Sequence, residues 1–577
     1  MAPDLRHIDA FRRKALAISL KVLLIQDFQT AASVLKHRLP HSAKPHPRIL
    51  PQRGIDMKLS RKLTAAALAV FAASALAVSF PSVKTQAAQK NEVTLRICNW
   101  EEYIDTGDWD ESETIDLPSG DIIGRNSMIE DFEQWYEETY GVKVNVEYST
   151  FGTNEDLYNM LTLGDTYDLV CPSEYMFMRL MSEGKLVPLS EHFFDESDEN
   201  NFYIRGVSPY LRNIFETSEY GGEKWSKYAA GYMWGTTGFV YNPDVLSKEE
   251  ASTFRLVDDP QYKRRVTIKD NVRDSYFMAV AALRHDLLTS DEFKNDPDYH
   301  TNLENVMNDT STEEIAEVQD YLQDVKNNVY SFETDSGKAD MITGKVIANY
   351  QWSGDAAYTM DQAEEDGYIL NFAVPEETTN IYFDGWVMLK SGIGNDAAKQ
   401  QAAEAFINFI SRPDNVVRNM YYIGYTSVIS GGDDPRVQEY LEWNYGAEDG
   451  DDTAVPYDLT YYFTGDTENS DPKYVISVPA EQLDRQLSAQ YPSVDVIKRT
   501  SIMRCFDTEQ NAAINRMWVN VRCYNAHRMP VWGWVLTALG IFGIVLLVIR
   551  KVLITRRKRE IRGVRDAKKA LAETGKF

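Results

Sequence analysis

The sequence has few of the residues and none of the common motifs on which enzyme active sites depend. Its 577 residues include 8 histidines and 4 cysteines. No zinc-binding or haem-binding pattern, nucleophile elbow or phosphate loop is present. Paired acids such as Glu101 and Glu102 do not replace these motifs, because the carboxylates of glycosidases come from separate elements at a defined distance. We therefore expect a protein that is not an enzyme and that holds neither a metal nor a cofactor.

The four cysteines are too widely separated to indicate a redox or metal-binding motif. Cys98, Cys171, Cys505 and Cys523 form no C-x-x-C pair. Cys98 and Cys171 each end an apolar, strand-like run. Buried thiols are therefore expected at these two positions, with a disulfide as the alternative that the sequence leaves open.

Positive charge is scarce over most of the chain. Residues 91–549 contain 34 basic and 80 acidic residues, a net charge of -46, whereas both ends of the chain are basic. Binding of nucleic acid needs clustered Lys and Arg, so we expect no nucleic-acid partner for this segment. An acidic cleft attracts cationic ligands. Solubility alone also accounts for surface charge of this kind, so the charge does not identify a ligand.

Residues 57–88 have the pattern of a secretory signal peptide. Met57 is followed by a positively charged segment, then by an apolar, Ala-rich run from Leu63 to Val78, and then by small residues near Ala88. We expect translation to begin at Met57, with residues 1–56 as a non-native or unstructured extension. One unusually long leader is the alternative.

An apolar segment near the other end of the chain predicts a membrane anchor. Residues 531–549 are 19 consecutive uncharged residues, long enough to cross a bilayer. Trp532 and Trp534 stand at its start, and the basic segment 550–577 follows. The positive-inside rule predicts that this segment is a cytoplasmic tail. Residues 89–529 would then face outward, from a single-pass protein of the cell membrane.

Strands and helices alternate in the outward-facing part. Apolar spacing predicts strands over 93–98 and 142–148 and helices over 128–140 and 154–163. This alternation is typical of a largely parallel sheet with helices on both faces. The acidic segments 105–119 and 431–453 are predicted to be surface insertions.

The first strand ends at a cluster of aromatic and acidic side chains. Trp100, Glu101, Glu102 and Tyr103 follow Cys98 directly. Ligands of α/β sheets bind at the carboxyl ends of strands. A wall that is both acidic and aromatic suits a cation best.

Six segments occur in an order that indicates a family. They are CNWEEY at 98–103, YDLVCPSEY at 167–175, GYMWGTTGFVYN at 231–242, YQWSGD at 350–355, YFDGW at 382–386 and AFINFISRP at 405–413. Together they resemble the spermidine/putrescine-binding proteins that deliver polyamines to ABC importers. Each segment alone is a weak signal, but six in order are a strong one. The resemblance extends over roughly residues 93–520.

The resemblance implies a periplasmic-binding-protein fold of type II, in which two α/β lobes are joined by crossover hinge strands. The predicted first lobe consists of residues 89–241 and 385–430, and the second of residues 242–384 and 431–529. A C-terminal transmembrane helix completes the predicted fold. The lobes would close over a ligand between them.

The resemblance also implies a box of aromatic residues with acids at its ends. Carried over position by position, its members are Trp100, Glu101, Glu102, Tyr103, Ser173, Tyr175, Asn271, Asp274, Trp352, Tyr382 and Asp384. Tyr382 replaces a tryptophan of the family, and Asn271 stands where an aspartate is common. Asp270 is an alternative source of that carboxylate. Glu101 stands where the family often has a neutral hydroxyl residue.

A polyamine alternates ammonium groups with methylene runs, so carboxylates and aromatic faces suit it without reference to any family. The resemblance implies capture of spermidine or putrescine for the permease and ATPase subunits of an ABC importer. Two alternatives stay open. The solute is another small cationic or polar compound, or the chain is a membrane-anchored receptor or sensor, although its tail is too short for a signalling enzyme.

Overall fold

The computed structural model describes residues 92–334, 336–448, 450–523 and 531–575. The predicted extension at 1–56 and the predicted signal peptide at 57–88 lie outside the described residues, so both stay predictions.

The strands are numbered in chain order. They are β1 (Glu92–Trp100), β2 (Lys143–Phe151), β3 (Leu169–Val170), β4 (Leu186–Val187), β5 (Glu219–Tyr220), β6 (Glu223–Lys224), β7 (Ala229–Tyr241), β8 (Val266–Lys269), β9 (Ser331–Glu333), β10 (Ala348–Trp352), β11 (Asn371–Ala373), β12 (Thr379–Leu389), β13 (Thr426–Ser427), β14 (Val455–Asp458), β15 (Val475–Val478) and β16 (Thr500–Ser501).

The α-helices are numbered in the same way. They are α1 (Met128–Tyr140), α2 (Asn154–Leu163), α3 (Glu174–Ser182), α4 (Phe202–Gly206), α5 (Pro209–Thr217), α6 (Lys248–Ala251), α7 (Val272–Leu283), α8 (His285–Leu288), α9 (Asp291–Lys294), α10 (Tyr299–Met307), α11 (Thr312–Asn328), α12 (Ser336–Ile342), α13 (Ser353–Glu365), α14 (Lys390–Ile393), α15 (Ala397–Ile410), α16 (Pro413–Ile423), α17 (Arg436–Tyr445), α18 (Thr460–Thr464), α19 (Gln486–Gln490), α20 (Val494–Ile497), α21 (Thr508–Cys523) and α22 (Val531–Thr574).

Two long strands connect the two halves of the main sheet. Its order is β2-β1-β3-β12-β7-β10-β8-β9. β1 is parallel to β2 and β3, and β8 is parallel to β9 and β10. Between these parallel groups, β7 and β12 run antiparallel to each other. The predicted α/β fold with two lobes and crossover strands is therefore confirmed.

The crossover strands are buried along their whole length. Every residue of β7 and β12 is buried. Strands covered on both faces carry nearly continuous apolar sequence, as these two do, instead of alternating apolar and polar residues. β7 contacts β12 through its first part and β10 and β11 through its last part. It therefore belongs to both halves of the sheet.

Local sequence signals agree with the observed element ends. Ser127 caps α1 in a reciprocal arrangement with Glu130, and Gly141 ends the helix with a φ of 66°. The predicted helices over 128–140 and 154–163 are confirmed to the residue. The predicted strands are confirmed as well, although β1 and β2 each extend further than the apolar runs indicated.

The prediction that residues 105–119 are a surface insertion is wrong. Asp105, Trp109, Ile115 and Leu117 are all buried. The Asp105 carboxylate accepts hydrogen bonds from the Gly107 N–H at 2.8 Å and from Trp109 Nε1 at 3.1 Å, and it pairs with Arg418. The acidic residues of this segment suggested a solvated loop. One of them, Asp105, is instead buried and holds the loop in place through these hydrogen bonds.

The second predicted insertion, residues 431–453, contains the helix α17, whose Val437 and Leu441 are fully buried. α17 packs against α16, and α18 packs against α5, whereas α19 packs against α13 and α21 against α11. The predicted lobe boundaries stay a prediction. These contacts favour dividing residues 431–529 between the lobes.

The helix before the membrane segment is fixed to the β8–β9 side of the cleft. Trp518 of α21 stacks on Phe332 of β9, with ring centroids 5.7 Å apart and an angle of 7° between the planes. Lys326 Nζ donates to the carbonyl oxygens of Val521 and Arg522 at 2.7 and 2.8 Å. Arg522 forms an ion pair with Asp270 at 2.6 Å.

The C-terminal helix α22 is long and apolar enough to cross a membrane. It contains 44 residues, which corresponds to roughly 66 Å at the usual rise per residue. An 18-residue window within Val535–Ala570 has a mean hydropathy of 2.2 and is not buried against the described part of the chain. The predicted span at 531–549 lies in this helix. The described part of the predicted cytoplasmic tail continues the same helix, and its side of the membrane stays a prediction.

All four cysteines are free thiols. Cys98 and Cys171 are buried, as expected, whereas Cys505 is half-buried and Cys523 exposed. Burial raises the pKa of Cys171 well above its usual value, with a smaller contribution from Asp384. The disulfide alternative is therefore absent from this structure.

Removal of the Arg418 side chain should strongly destabilise the fold. Arg418 connects Asp105 to Asp131, and its side chain is 5% exposed. Loss of one partner from a buried ion pair costs about 3–5 kcal/mol, so Arg418→Ala should lower the free energy of unfolding by that amount. Urea unfolding of the detergent-solubilised chain, followed by tryptophan fluorescence, measures this change.

The matched control is Arg212→Ala. Arg212 pairs with Glu196 and Glu216 at the surface, where all three side chains are exposed. Surface pairs contribute about 0–1 kcal/mol. Equal effects of the two substitutions would contradict the structural role assigned to Arg418.

Candidate functional site

A small cavity lies where the carboxyl ends of four strands meet. Its volume is about 10 Å³, and its lining residues are Trp100, Gly152, Thr153, Lys269, Asp270, Asn271, Glu333, Thr334 and Trp352. Trp100, Lys269, Glu333 and Trp352 are the last residues of β1, β8, β9 and β10. Strands from both halves of the sheet therefore converge at the edge where α/β sheets bind ligands.

Asp384 is the acidic centre of one end of this site. It lies on β12 at a register shift between Asp384 and Gly385. Its Oδ2 accepts a hydrogen bond from the Tyr103 hydroxyl at 2.8 Å, and its Oδ1 accepts one from Ser173 Oγ at 2.8 Å. Burial raises the pKa of Asp384 to about 6, although its contacts with Ser173, Tyr103 and Trp100 act in the opposite direction. All its hydrogen-bonding partners are neutral.

Aromatic rings surround the Asp384 end. The Tyr103 ring makes edge contacts with Tyr232 and Tyr425, at centroid distances of 5.5 and 4.9 Å. Burial raises the pKa of Tyr103 well above its usual value, so its hydroxyl remains a neutral donor to Asp384. Trp100 packs on Phe151 with ring centroids 4.7 Å apart. Its indole N–H is buried and acts to lower the pKa of the Asp384 carboxyl group.

Tyr382 completes this part of the box. Its hydroxyl lies 3.5 Å from Ser353 Oγ at the start of α13. Gly235 of β7 allows this approach, because a Cβ at that position would collide with the Tyr382 and Ser353 side chains. The structure thus brings Trp100, Tyr103, Ser173 and Asp384 together with Tyr382, as the sequence predicted.

Trp352 and Asp274 form the other end of the candidate site. Trp352 Nε1 donates to Asp274 Oδ1 at 3.3 Å. Burial raises the pKa of Asp274 to about 6, while the positive charge of Lys269 and the Trp352 hydrogen bond lower it.

The buried ammonium group of Lys269 lies at the same end of the site. The Nζ of Lys269 is 4.1 Å from the centroid of the Trp352 ring. It donates to the Thr334 carbonyl at 3.1 Å and pairs with Asp355 Oδ2 at 3.2 Å. Burial raises the pKa of Asp355, but Lys338 and Lys269 outweigh that effect and lower it to about 2. Asp355 is therefore ionised at neutral pH.

Tyr175 is held by a second internal cation. Its hydroxyl accepts from Asn154 Nδ2 at 3.0 Å and donates to Glu155 at 3.2 Å. The guanidinium carbon of Arg273 lies 4.6 Å from the centroid of the Tyr175 ring and 4.0 Å from that of Phe506. The structure therefore gives the Tyr175 ring a packing partner from its own chain.

Asn271 and Asp270 are both engaged within the protein. Asn271 caps α7, because its Oδ1 accepts from the backbone N–H of Arg273 at 2.8 Å and of Asp274 at 3.3 Å. Asp270 pairs with Arg522. Both residues line the cavity. The Asp270 carboxylate is paired with Arg522, and the Asn271 side chain carries no charge.

Glu101 and Glu102 differ from the other predicted members, because both side chains are exposed to solvent. Glu102 has a positive φ of 53°. Its charge raises the pKa of Tyr358 and of Tyr422, although burial is the largest cause for each. The two glutamates lie at the rim rather than among the buried residues around Asp384.

Lys269 lines the cavity and Asp355 pairs with it, but neither residue was predicted from the sequence to belong to the site. Asp355 is the last residue of the segment 350–355 that carried the resemblance, so a signal for it existed. Lys269 ends the apolar strand Val266–Lys269, and a charged residue at a strand end is the same kind of signal that identified Glu101. Which residues contact a ligand stays a prediction.

One protein family matches more than half of the chain. Its description is bacterial extracellular solute-binding protein, and the match covers residues 127–441. The chain belongs to this family. The family consists of solute-binding proteins that act outside the cytoplasm, and it is not an enzyme family.

This solute-binding protein is similar to curated proteins from several bacteria. It is 26% identical over 359 residues to the spermidine/putrescine-binding periplasmic protein of Salmonella typhimurium, a match that covers 62% of this chain and 82% of the relative. It is 24% identical over 360 residues to the putrescine-binding periplasmic protein PotF of Escherichia coli, covering 60% of this chain and 80% of the relative.

A solved structure also resembles it. The spermidine/putrescine ABC transporter substrate-binding protein PotD from Streptococcus pneumoniae has 21% sequence identity and a TM-score of 0.47, covering 75% of this chain and 99% of that chain.

Removal of the Asn271 side chain should destabilise α7 as the loss of a helix cap does. Asn271→Ala should lower the free energy of unfolding by about 1 kcal/mol, and Asn271→Asp should preserve stability because aspartate caps helices equally well. Thermal and urea unfolding of the full chain measure both. Wild-type stability of Asn271→Ala would contradict the capping role.

Proposed function

We propose that the chain captures polyamines outside the cytoplasm and delivers them to an ABC importer. The observation that carries this proposal is Asp384, a buried carboxylate among aromatic rings whose hydrogen-bonding partners are all neutral. A buried carboxylate without a cationic partner is costly, so it favours a ligand that supplies the cation. Two relatives, a spermidine/putrescine-binding protein and a putrescine-binding protein, support the same ligand class.

The box provides the interactions that a polyamine needs. An ammonium group pairs with Asp384, and methylene groups pack between Trp100 and the tyrosine rings. A cation over an aromatic face contributes about 0.5–2 kcal/mol, and hydrogen bonds to charged groups contribute about 1.5–3 kcal/mol each. Three or four such contacts are sufficient for a micromolar Kd, which corresponds to about -8 kcal/mol.

Ligand access depends on the hinge. The cavity of about 10 Å³ has room for roughly one water molecule, so an amine reaches Asp384 only when the lobes separate. β7 and β12, which belong to both halves of the sheet, are the connection about which this opening occurs. A ligand that contacts both lobes then favours the closed form.

The anchor supports the delivery role. In the proposal α22 crosses the membrane with its basic end in the cytoplasm, and the permease and ATPase are separate chains. Tethering keeps the binding domain at a high effective concentration near its permease. A receptor would need a signalling partner instead.

Substitution of the box residues should weaken polyamine binding. Asp384→Asn removes the charge that pairs with the ammonium group, and Trp100→Ala removes an aromatic wall. Each should raise the Kd for putrescine or spermidine at least tenfold, as measured by isothermal titration calorimetry on the detergent-solubilised chain, while thermal unfolding shows that the fold is retained.

Two substitutions far from the site serve as matched controls. Asp286 has a side chain that is 87% exposed and pairs with Arg255 at the surface, so Asp286→Asn should leave binding unchanged. Trp443 is 37% exposed and contacts Tyr421 and Tyr440, so Trp443→Ala should also leave binding unchanged.

If both box variants keep wild-type affinity, Asp384 and Trp100 lie outside the binding site. No heat from the wild-type protein with either amine would refute the proposed function.

Binding should also weaken in mild acid. Asp384 has a pKa of about 6 when the site is empty, whereas amines stay protonated far above that pH. Below pH 6 the carboxyl group must lose a proton before it can pair with an ammonium group. By linkage, the Kd should rise about fivefold between pH 6 and pH 5 and change little between pH 7 and pH 8. Calorimetric titrations at these pH values test it, and a constant Kd from pH 7 to pH 5 would contradict the role of Asp384.

A further inference from the structure

The cavity of the candidate site contains one buried carboxylate that forms no ion pair in the described part of the chain. Glu333 is the last residue of β9, lines the cavity and is 5% exposed. Its Oε1 accepts a hydrogen bond from Asn349 Nδ2 at 2.8 Å, and its Oε2 accepts one from the Gly337 N–H at 2.7 Å. The other carboxylate among the lining residues, that of Asp270, pairs with Arg522. Glu333 is therefore the carboxylate of the cavity that remains available to a cation.

The Glu333 carboxylate has capacity for further donors. An ionised carboxylate offers about four acceptor positions, and the two neutral donors use two of them. Burial of a carboxylate is costly unless hydrogen bonds and a cation offset the lost hydration. Glu333 thus resembles Asp384, which is also buried and also accepts hydrogen bonds from neutral groups.

The nearby lysines do not remove this excess of negative charge. Lys269 is the register partner of Glu333 in the β8–β9 pair, but its Nζ pairs with Asp355, which also pairs with Lys338 at 3.3 Å. Asp274 lies close enough for the positive charge of Lys269 to lower its pKa. At neutral pH, the three carboxylates of Asp274, Glu333 and Asp355 therefore stand against two ammonium groups. One additional ammonium group balances the charge at this end of the site.

Two tryptophans line the same cavity as Glu333. Trp100 is the last residue of β1, and Trp352 is the last residue of β10. Trp100 also contributes to the surroundings of Asp384, since its indole N–H acts to lower the pKa of that carboxyl group. An aromatic ring is thus common to the surroundings of both carboxylates, as a ligand that alternates ammonium and methylene groups requires.

We propose that Glu333 forms a second ammonium subsite of the box, with Asp384 as the first. This inference rests on the proposed function. One ammonium group of the ligand pairs with Asp384, methylene groups pack on Trp100, and a further ammonium group pairs with Glu333. Asn271 carries no charge and caps α7, so the carboxylate comes instead from the end of the neighbouring strand β9. Because β1 and β9 belong to different halves of the sheet, a ligand held in this way favours the closed form.

Glu333 also has a structural role. Its hydrogen bonds connect β9 to Asn349 of β10 and to Gly337 in the first turn of α12. A loss of affinity after substitution of Glu333 would therefore not by itself show a contact with the ligand. The ratio of the affinities for two amines distinguishes the roles, because a structural defect weakens the binding of both.

The experiment compares amines with one and with several ammonium groups. Butylamine has the four-carbon chain of putrescine but only one ammonium group. The detergent-solubilised wild-type chain should bind the tighter of putrescine and spermidine about a hundredfold more tightly than butylamine, because a second ammonium group forms charged hydrogen bonds. Glu333→Gln removes the charge and keeps the length of the side chain, and it should reduce this ratio about tenfold. Calorimetric titration, by displacement for the weaker ligand, gives both constants in one preparation, so their ratio does not depend on the folded fraction.

Glu317→Gln is the matched control. The Glu317 side chain is 54% exposed and pairs with Arg284 on the surface, so the substitution removes a glutamate charge without touching the site. It should leave the ratio unchanged. An equal fall of the ratio in this variant would show that the effect is not specific to Glu333 and would overturn the subsite.

A crystal structure of the wild-type protein with the tighter-binding amine is an independent test that needs no variant. An ammonium nitrogen should lie about 2.7–3.2 Å from a carboxylate oxygen of Glu333. If no ammonium nitrogen lies within about 4 Å of that carboxylate, the subsite is overturned, whether or not Glu333→Gln folds.

The outcomes separate this inference from the proposed function. An unchanged ratio in Glu333→Gln, including the case in which all amines bind less tightly, overturns the subsite and leaves polyamine binding intact. Equal affinity of the wild-type protein for butylamine and for the polyamines does the same. No binding of putrescine, spermidine or butylamine to the wild-type protein overturns the proposed function and this inference together.

Discussion

The candidate site depends on one buried carboxylate carried by the crossover strand β12. Asp384 lies on β12, and it is held by Tyr103 at the end of β1 and by Ser173 at the start of α3. Burial of a carboxylate is costly unless hydrogen bonds or a cation offset it. Two neutral donors reduce that cost but do not remove it, since the pKa of Asp384 remains raised to about 6. In the proposed function, a cationic ligand offsets this remaining cost.

Three cations of this acidic protein are buried at positions where they contact the fold or the candidate site. Arg418 connects Asp105 to Asp131, Arg273 packs between Tyr175 and Phe506, and Lys269 stacks on Trp352. Each is nearly inaccessible to solvent. The net charge indicated an attraction for cations. The structure shows that two of the buried cations already stand beside aromatic residues of the predicted box.

The sequence predicted the parts of the fold and of the site that local patterns determine. Strand ends and helix caps follow from apolar spacing, from Ser127 and from Gly141, and the resemblance placed Tyr103, Ser173 and Asp384 correctly beside one another. It did not predict that Asp105 is buried, because the partner of Asp105 is more than 300 residues away. Nor did it predict Lys269 over Trp352, since that contact depends on how β8 and β10 pair. Asn271 could have been recognised as a helix cap from its position before α7, but the resemblance favoured a ligand contact.

The helix α21 packs against one wall of the candidate site. Arg522 of α21 pairs with Asp270, the residue after Lys269, and Trp518 stacks on Phe332, two residues before Thr334. Lys269 in turn donates to the Thr334 carbonyl. The ends of β8 and β9 are therefore held from the cavity side by Lys269 and from the outside by α21. Because packed groups of this kind move together, movement of this lobe about β7 and β12 carries α21 with it.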